Sequence, residues 1–243
     1  MNNYTRSFPS RAANAEVVNA FMRGIYAWMG AGLALTAVLA WWVANTPAAL
    51  GLLLNIDFAT GTQGTPVLLY GLFLAELGIV FYLSARVASM NPGTATGLFL
   101  LYSGLNGVTL SPILLAYTGQ SVAATFFVSA GMFGAMSLYG LLTKKDLTSW
   151  GSLLFMGLIG MIIAMVVNIF LQSQMMSFVI SGVGVVLFTG LTAYDTQKFK
   201  TMGEVMPNDA AAVRRGSILG ALTLYLDFIN LFLMLLRIMG NRR

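Results

Sequence analysis

Two carboxylates stand inside segments that are otherwise apolar and long enough to cross a bilayer: Asp195 in LFTGLTAYDTQKF and Asp227 in GALTLYLDFINLFLMLLRI. An aspartate at the centre of a spanning helix costs about 2.5–3.5 kcal/mol on insertion scales, so such residues face a bundle interior and mark ion, proton or substrate paths. The chain has 8 acidic residues in all, and two are placed here. One chemistry suits such a pair: two carboxylates held together share a proton and titrate as a unit. The plainer reading for each is a buried ion pair or an interhelical hydrogen bond. With no histidine and no cysteine, a pH response must come from carboxylates. The same absence removes disulfides, the usual zinc ligand sets and haem ligation by His or Cys.

The elements that position these groups follow from composition. The chain of 243 residues is 58% hydrophobic and 9% charged, with mean hydropathy +0.80. A soluble domain carries about a quarter of charged residues and could not hide this much apolar surface. The apolar runs are too continuous for barrel strands, which alternate over about ten residues. The expected fold is an all-α polytopic membrane protein. Seven spans are read at about 22–44, 66–89, 94–117, 121–142, 150–171, 175–197 and 217–239, each long enough for the hydrocarbon core. They form one domain, 21–243. A polar tail precedes it over 1–20, without the apolar core and cleavage site of a signal peptide, and 198–216 link the sixth and seventh spans.

Basic residues alternate between the connections. Arg6, Arg11 and Arg23 flank the first span, the connection 45–65 has none, and Arg86, Lys144 and Lys145, then Lys198, Lys200, Arg214 and Arg215 follow on one side. The positive-inside rule places that side and the N-terminus in the cytoplasm. Arg237, Arg242 and Arg243 disagree: either the last span crosses fully despite them, or it is re-entrant.

At 3.6 residues per turn Gly220, Thr223, Asp227, Asn230 and Arg237 form one row of the last span. Ser181, Thr189, Thr192 and either Asp195 or Thr196 form another on the sixth, and Tyr102, Asn106 and Thr109 one on the third. Glu76 lies mid-way along the second span with Arg86 beyond it. Spans two, three, six and seven are therefore expected around a polar interior, with one, four and five as walls. Taken singly, Asn106, Thr192 and Thr223 equally suit ordinary interhelical bonds, worth about 0.6 kcal/mol on average. The short link makes the two aspartate helices antiparallel neighbours. Asp195 is one turn from Lys198 while Asp227 is over three turns from Arg215, so matching their depths requires one helix to extend past its flanking charges.

LTAYDTQK around Asp195, TLYLDFINLFLMLLRI around Asp227 and GLFLLYSGLNGVTLSPILLAYT in the third span resemble the Bax inhibitor family, the transmembrane Bax-inhibitor-motif proteins, and specifically its bacterial members. The resemblance implies seven helices with the seventh central in a six-helix surround, in a bacterial inner membrane. It implies a pH-sensitive calcium leak in which Asp195 and Asp227 are the proton-sharing gate and calcium ligands, and Arg86 is a latch on Asp195. Glu76, Asn106, Thr192, Thr223 and Asn230 are candidates for the ion path. Calcium is then the transported ion, with no cofactor and with protons and membrane lipid as the other partners.

A rival reading is an interaction protein, a client or modulator of a membrane-anchored ATP-dependent protease that engages the tail Met1–Ala20. An intramembrane aspartyl protease would share Tyr194-Asp195, but Tyr225 and Leu226 before Asp227 break its second motif, and the chain is read as no enzyme. No lysine inside the last span allows a retinal Schiff base, and no phosphate-binding loop or basic-aromatic surface suggests nucleotide or nucleic acid.

Overall fold

Arg11–Ala44 form α1, the first of eight helices in a computed structural model that describes residues 11–57, 60–207 and 209–243. Next come α2 (Pro47–Leu54), a small hairpin of β1 (Ile56–Asp57) and β2 (Thr62–Gln63), and α3 (Val67–Arg86). The rest is helical: α4 (Pro92–Ala116), α5 (Gly119–Leu142), α6 (Thr148–Leu171), α7 (Gln174–Glu204) and α8 (Ala210–Met239). Among the described residues, 7 helices are long and apolar enough to cross a membrane, all but α2. The expected seven-span all-α membrane protein is what the chain forms. The hairpin, with Ile56 opposite Gln63, orders a connection that the sequence reading left without structure.

Local chemistry sets the helix starts. Asn91 precedes Pro92 and accepts from the Gly93 N–H at 2.9 Å, and Ser173 accepts from Met176 N at 3.2 Å. Asp209 accepts from Ala211 and Ala212 at 3.1 and 3.0 Å. Each satisfies amides that the first turn leaves without a helical partner.

Helix α8 is the most enclosed span, with 67% of its apolar window buried, against 11% for α3 and 6% for α6. It packs on α1, α4, α5 and α7; α3 lies outside on α4, and α6 outside on α7. The division of roles expected among the spans is therefore corrected: α1 and α5 line the interior, and α3 reaches it with little beyond Glu76 and Leu83. The reason is close approach. Gly107 of α4 lies against α1 so tightly that a Cβ there would stand 2.6 Å from the Thr36 carbonyl oxygen. That draws α1 into the place beside α8.

Three helices also run past their flanking charges. Residues 11–20, read as polar tail, are part of α1; residues 1–10 of that tail lie outside the described residues. Helix α7 continues to Glu204 and α8 begins at Ala210, so the non-helical link is far shorter than 198–216. Lysine and arginine mark the water boundary, and they do not end a helix, since both are good helix formers. The overhang is held by packing, with Phe21 against Gly203 and Gly216, and by the Ser217 hydroxyl donating to the Phe21 carbonyl at 3.3 Å. Helix α8 then runs unbroken to the α4–α5 corner, where Thr118 N donates to Asn241 O at 3.1 Å. It traverses the bundle end to end without a break, the form of a helix that crosses fully.

Candidate functional site

Asp195 and Asp227 come together on adjacent antiparallel helices. Phe199 packs onto Gly220 and Met234 onto Gly184, a register that sets Asp195 level with Thr223. Asp227 follows about one turn further along α8, roughly 5 Å in depth. Helical extension of the link resolves the mismatch in depth that the flanking charges imply. Both carboxylates are buried, at 6% and 5% exposure, and the charged groups that act on Asp227 are Asp195 and Lys198.

Their partners differ. Asp195 Oδ1 lies 3.7 Å from Lys198 Nζ, three residues on along α7. Asp227 has an oxygen, Oδ2, that is buried without any hydrogen-bond partner. A buried acceptor left unpaired costs on the order of 1–3 kcal/mol. A proton on Asp227, or a cation beside it, would relieve that cost.

Arg86 does not reach Asp195. It is exposed at the end of α3, a helix that packs on α2 and α4, and the cation paired to Asp195 is Lys198. The latch expectation is corrected on this point. The i, i+3 spacing of Asp195 and Lys198 was visible in the sequence, where Lys198 served only as a boundary marker.

The remaining candidates divide into two groups. Thr192, Thr223 and Asn230 line up near the aspartates, but each donates to the carbonyl four residues back, at 2.8, 3.1 and 2.9 Å. Glu76 and Asn106 belong to a separate cluster between α3 and α4. There the Thr109 hydroxyl donates to Glu76 Oε1 at 2.8 Å and Asn106 Nδ2 to the Tyr102 hydroxyl at 3.1 Å, with Asn106 Oδ1 unpartnered. The Tyr102 ring meets Tyr225 of α8 edge to face at 5.8 Å.

Two further contacts escaped the sequence reading. Thr36 Oγ1 lies 2.6 Å from the Tyr225 hydroxyl and 2.7 Å from the Ser103 carbonyl. A threonine has one proton; it serves a carbonyl, so Tyr225 donates to Thr36. Beside Asp195, Ser137 Oγ bridges Tyr26 of α1 and Thr196 of α7, at 3.0 Å to each. Thr36 sits singly in an apolar run, where no periodicity marks it; Thr196 extends the polar row of α7, and Ser137 follows the buried Thr125 and Ser129 on α5.

Outside Asp195 opens a cleft of about 500 Å³ with Lys144, Lys145, Lys198 and Lys200 on its walls. No group of three or more acidic side chains placed to hold a metal occurs among the described residues. The two aspartates therefore offer part of a calcium shell, which takes six to eight oxygens, and carbonyls and water would have to complete it.

The family model described as "Inhibitor of apoptosis-promoting Bax1" matches residues 18–243. The chain belongs to that family. Over 224 residues it is 52% identical to "Inner membrane protein YbhL" of Escherichia coli (strain K12), covering 92% of each chain. It is 45% identical over 246 residues to an uncharacterized protein of Rickettsia prowazekii (strain Madrid E), covering 100% of both. An uncharacterized membrane protein of Streptococcus pyogenes serotype M1 is 39% identical over 231 residues, 92% of this chain and 93% of that one. The Bax inhibitor family thus accounts for the bundle from α1 to the C-terminal residues, and the aspartate pair lies inside the matched region.

Proposed function

We propose that this Bax inhibitor family member is a proton-controlled calcium leak, gated by Asp195 and Asp227. One observation carries the reading: two buried carboxylates one turn apart on neighbouring helices, one of them with an unpartnered oxygen. A site of that kind responds to a proton or a cation and has no evident purpose in packing alone.

In the closed form Asp195 is ionised and holds Lys198 at 3.7 Å. Four lysines against two acidic residues, Asp146 and Glu204, leave the outer cleft net positive, which raises the energy of a divalent cation there. Past Asp227 the interior is filled by Leu187, Leu231 and Met234. A proton arriving at the pair removes the charge that retains Lys198 and changes the repulsion between α7 and α8. Both effects bias a closed–open equilibrium by differential interaction with its two states. The carboxylates then serve as two of the oxygens a passing calcium ion exchanges for water.

Location in an inner membrane is supported by the printed name of the E. coli relative and by the seven spans. The cytoplasmic placement of the N-terminus rests on the positions of the basic residues.

The test is calcium flux in proteoliposomes across a pH series, with potassium and protons compared. Wild-type flux should change with pH, and D195N and D227N should each flatten that dependence. Curves superimposable on wild type in both variants remove the gate. Absence of calcium flux at every pH removes the leak.

A further inference from the structure

At the end of the bundle opposite Lys198 the chain turns back after Met239 and lies along the α4–α5 corner. Arg243 N donates to Ala116 O at 3.0 Å and Asn241 N to Ser121 Oγ at 3.0 Å. Arg242 pairs by backbone with Tyr117 and stacks its guanidinium 5.9 Å from that ring's centroid. This holds Arg242 at one side of a cavity of about 680 Å³. Arg237, in the last turn of α8, lines it as well, and the α6–α7 hairpin forms the facing wall.

That hairpin is fixed by Asn168. Its Nδ2 donates to Ser177 Oγ at 2.7 Å and its Oδ1 accepts from Ser173 N at 3.1 Å. Ser177 Oγ thus accepts one bond and keeps a proton to donate. Gln172 and Gln174 bring further amide donors to the lining.

The lining contains two guanidinium groups and no carboxylate. Among the described residues the ion pairs are Lys198–Asp195 and Arg215–Asp209, so neither Arg237 nor Arg242 has an acidic partner. Both guanidiniums are exposed to solvent; an anion between them would relieve their mutual repulsion, and the guanidinium fork matches the paired oxygens of a phosphate. Ile169 and Phe178 complete the wall and are 68% and 58% exposed, which suits the carbon atoms beside a phosphate. Three arginines at this end also cease to conflict with a full crossing if two of them have an anion to bind. We infer that this cavity is a binding site for a phosphate-type anion, carried by a net-anionic phospholipid headgroup or free in solution. The inference is independent of the calcium reading.

The experiment is thermal unfolding of the full chain, purified in detergent and stripped of lipid. Phosphatidylglycerol, phosphatidylcholine and millimolar inorganic phosphate are added separately. Phosphatidylglycerol should raise Tm by about 3 °C, phosphatidylcholine should not, and R237Q/R242Q should lose the gain. K144Q/K145Q, at the other end, should keep it. A gain from inorganic phosphate alone assigns the site to a free anion; a gain from phosphatidylglycerol alone assigns it to a headgroup. No gain from either, an undiminished gain in R237Q/R242Q, or loss of the gain in K144Q/K145Q overturns the site. Should R237Q/R242Q fail to fold, native mass spectrometry of the unaltered chain decides. Selective retention of phosphatidylglycerol or phosphate supports the site, and retention of phosphatidylglycerol and phosphatidylcholine alike overturns it.

Discussion

Lys198 Nζ stands 3.7 Å from Asp195 Oδ1 on the same face of α7, with the lysine side chain 56% exposed and the aspartate 9%. The pair joins a buried carboxylate to the lysine-lined cleft, so the cation that tunes the gate is one turn away along the same helix. An opposite charge within about 4–6 Å moves a carboxylate's titration by one unit or more. K198Q should therefore displace the midpoint of the pH–flux curve by about one pH unit. R86Q should leave that midpoint in place, because Arg86 is exposed on a peripheral helix. Proteoliposome flux with both variants checks this, and a displacement by R86Q alone would restore the latch to α3.

The Thr36–Tyr225 contact predicts an asymmetry. In Y225F the Thr36 hydroxyl still donates to the Ser103 carbonyl, so the loss is one hydrogen bond, about 0.6–1.7 kcal/mol in a membrane interior. In T36V the Tyr225 hydroxyl, on a fully enclosed residue, loses the one hydrogen-bond partner it has among the described residues, and an orphaned buried group costs about 1–3 kcal/mol. T36V should unfold at the lower temperature of the two. Equal Tm values would mean that water reaches Tyr225.

The central place of the last helix came from the family resemblance; the spans and the two membrane-embedded aspartates were legible from local signals, long apolar runs and carboxylates inside them. Which other helices face α8 was not. Thr36 reaches the interior by a single hydroxyl in an apolar segment, so no row of polar residues announces α1; on α5 the buried Thr125, Ser129 and Ser137 do form a small-polar series, which the sequence reading passed over for the charged and amide-bearing spans. The reach of α7 and α8 was misread because Lys198 and Arg214 report where water begins, while the helices end where Val205 and Asp209 break the hydrogen-bond ladder. Arg86 drew its assigned role from being the basic residue of its span, but α3 rests on α4, away from α7.

Asp146, in the exposed α5–α6 connection, yields a pH prediction of known sign. Hydrogen bonds from the Thr148 side chain and backbone hold its carboxyl below the ordinary 3.8. The backbone bond, Thr148 N to Asp146 Oδ1, is 2.8 Å. A carboxyl depressed in the folded state adds stability above its unfolded value and gives it up as pH falls through its folded value. D146N should thus lower Tm slightly at pH 7, and the difference from wild type should close as the pH is taken well below 3.8. A gap that widens on acidification would contradict the assignment.

Close approach of α1 to α4 gives the sharpest test of the packing. A side chain at Gly107 meets the Thr36 carbonyl at 2.6 Å and the Thr36 Cα at 3.0 Å, both backbone atoms that no rotamer change can move. G107A should cost about 1–3 kcal/mol as the helices are forced apart. Because Thr36 then withdraws from Tyr225, G107A combined with Y225F should cost less than the two added separately. At Gly134 of α5 nothing lies within 4 Å of an added Cβ, so G134A should be neutral or stabilise by about 0.5–1 kcal/mol through helix propensity alone. Tm values of G107A, Y225F, G107A/Y225F and G134A in detergent decide it. Tolerance of G107A equal to that of G134A would mean that α1 is not seated against α4, and the interior would have to be rebuilt without it.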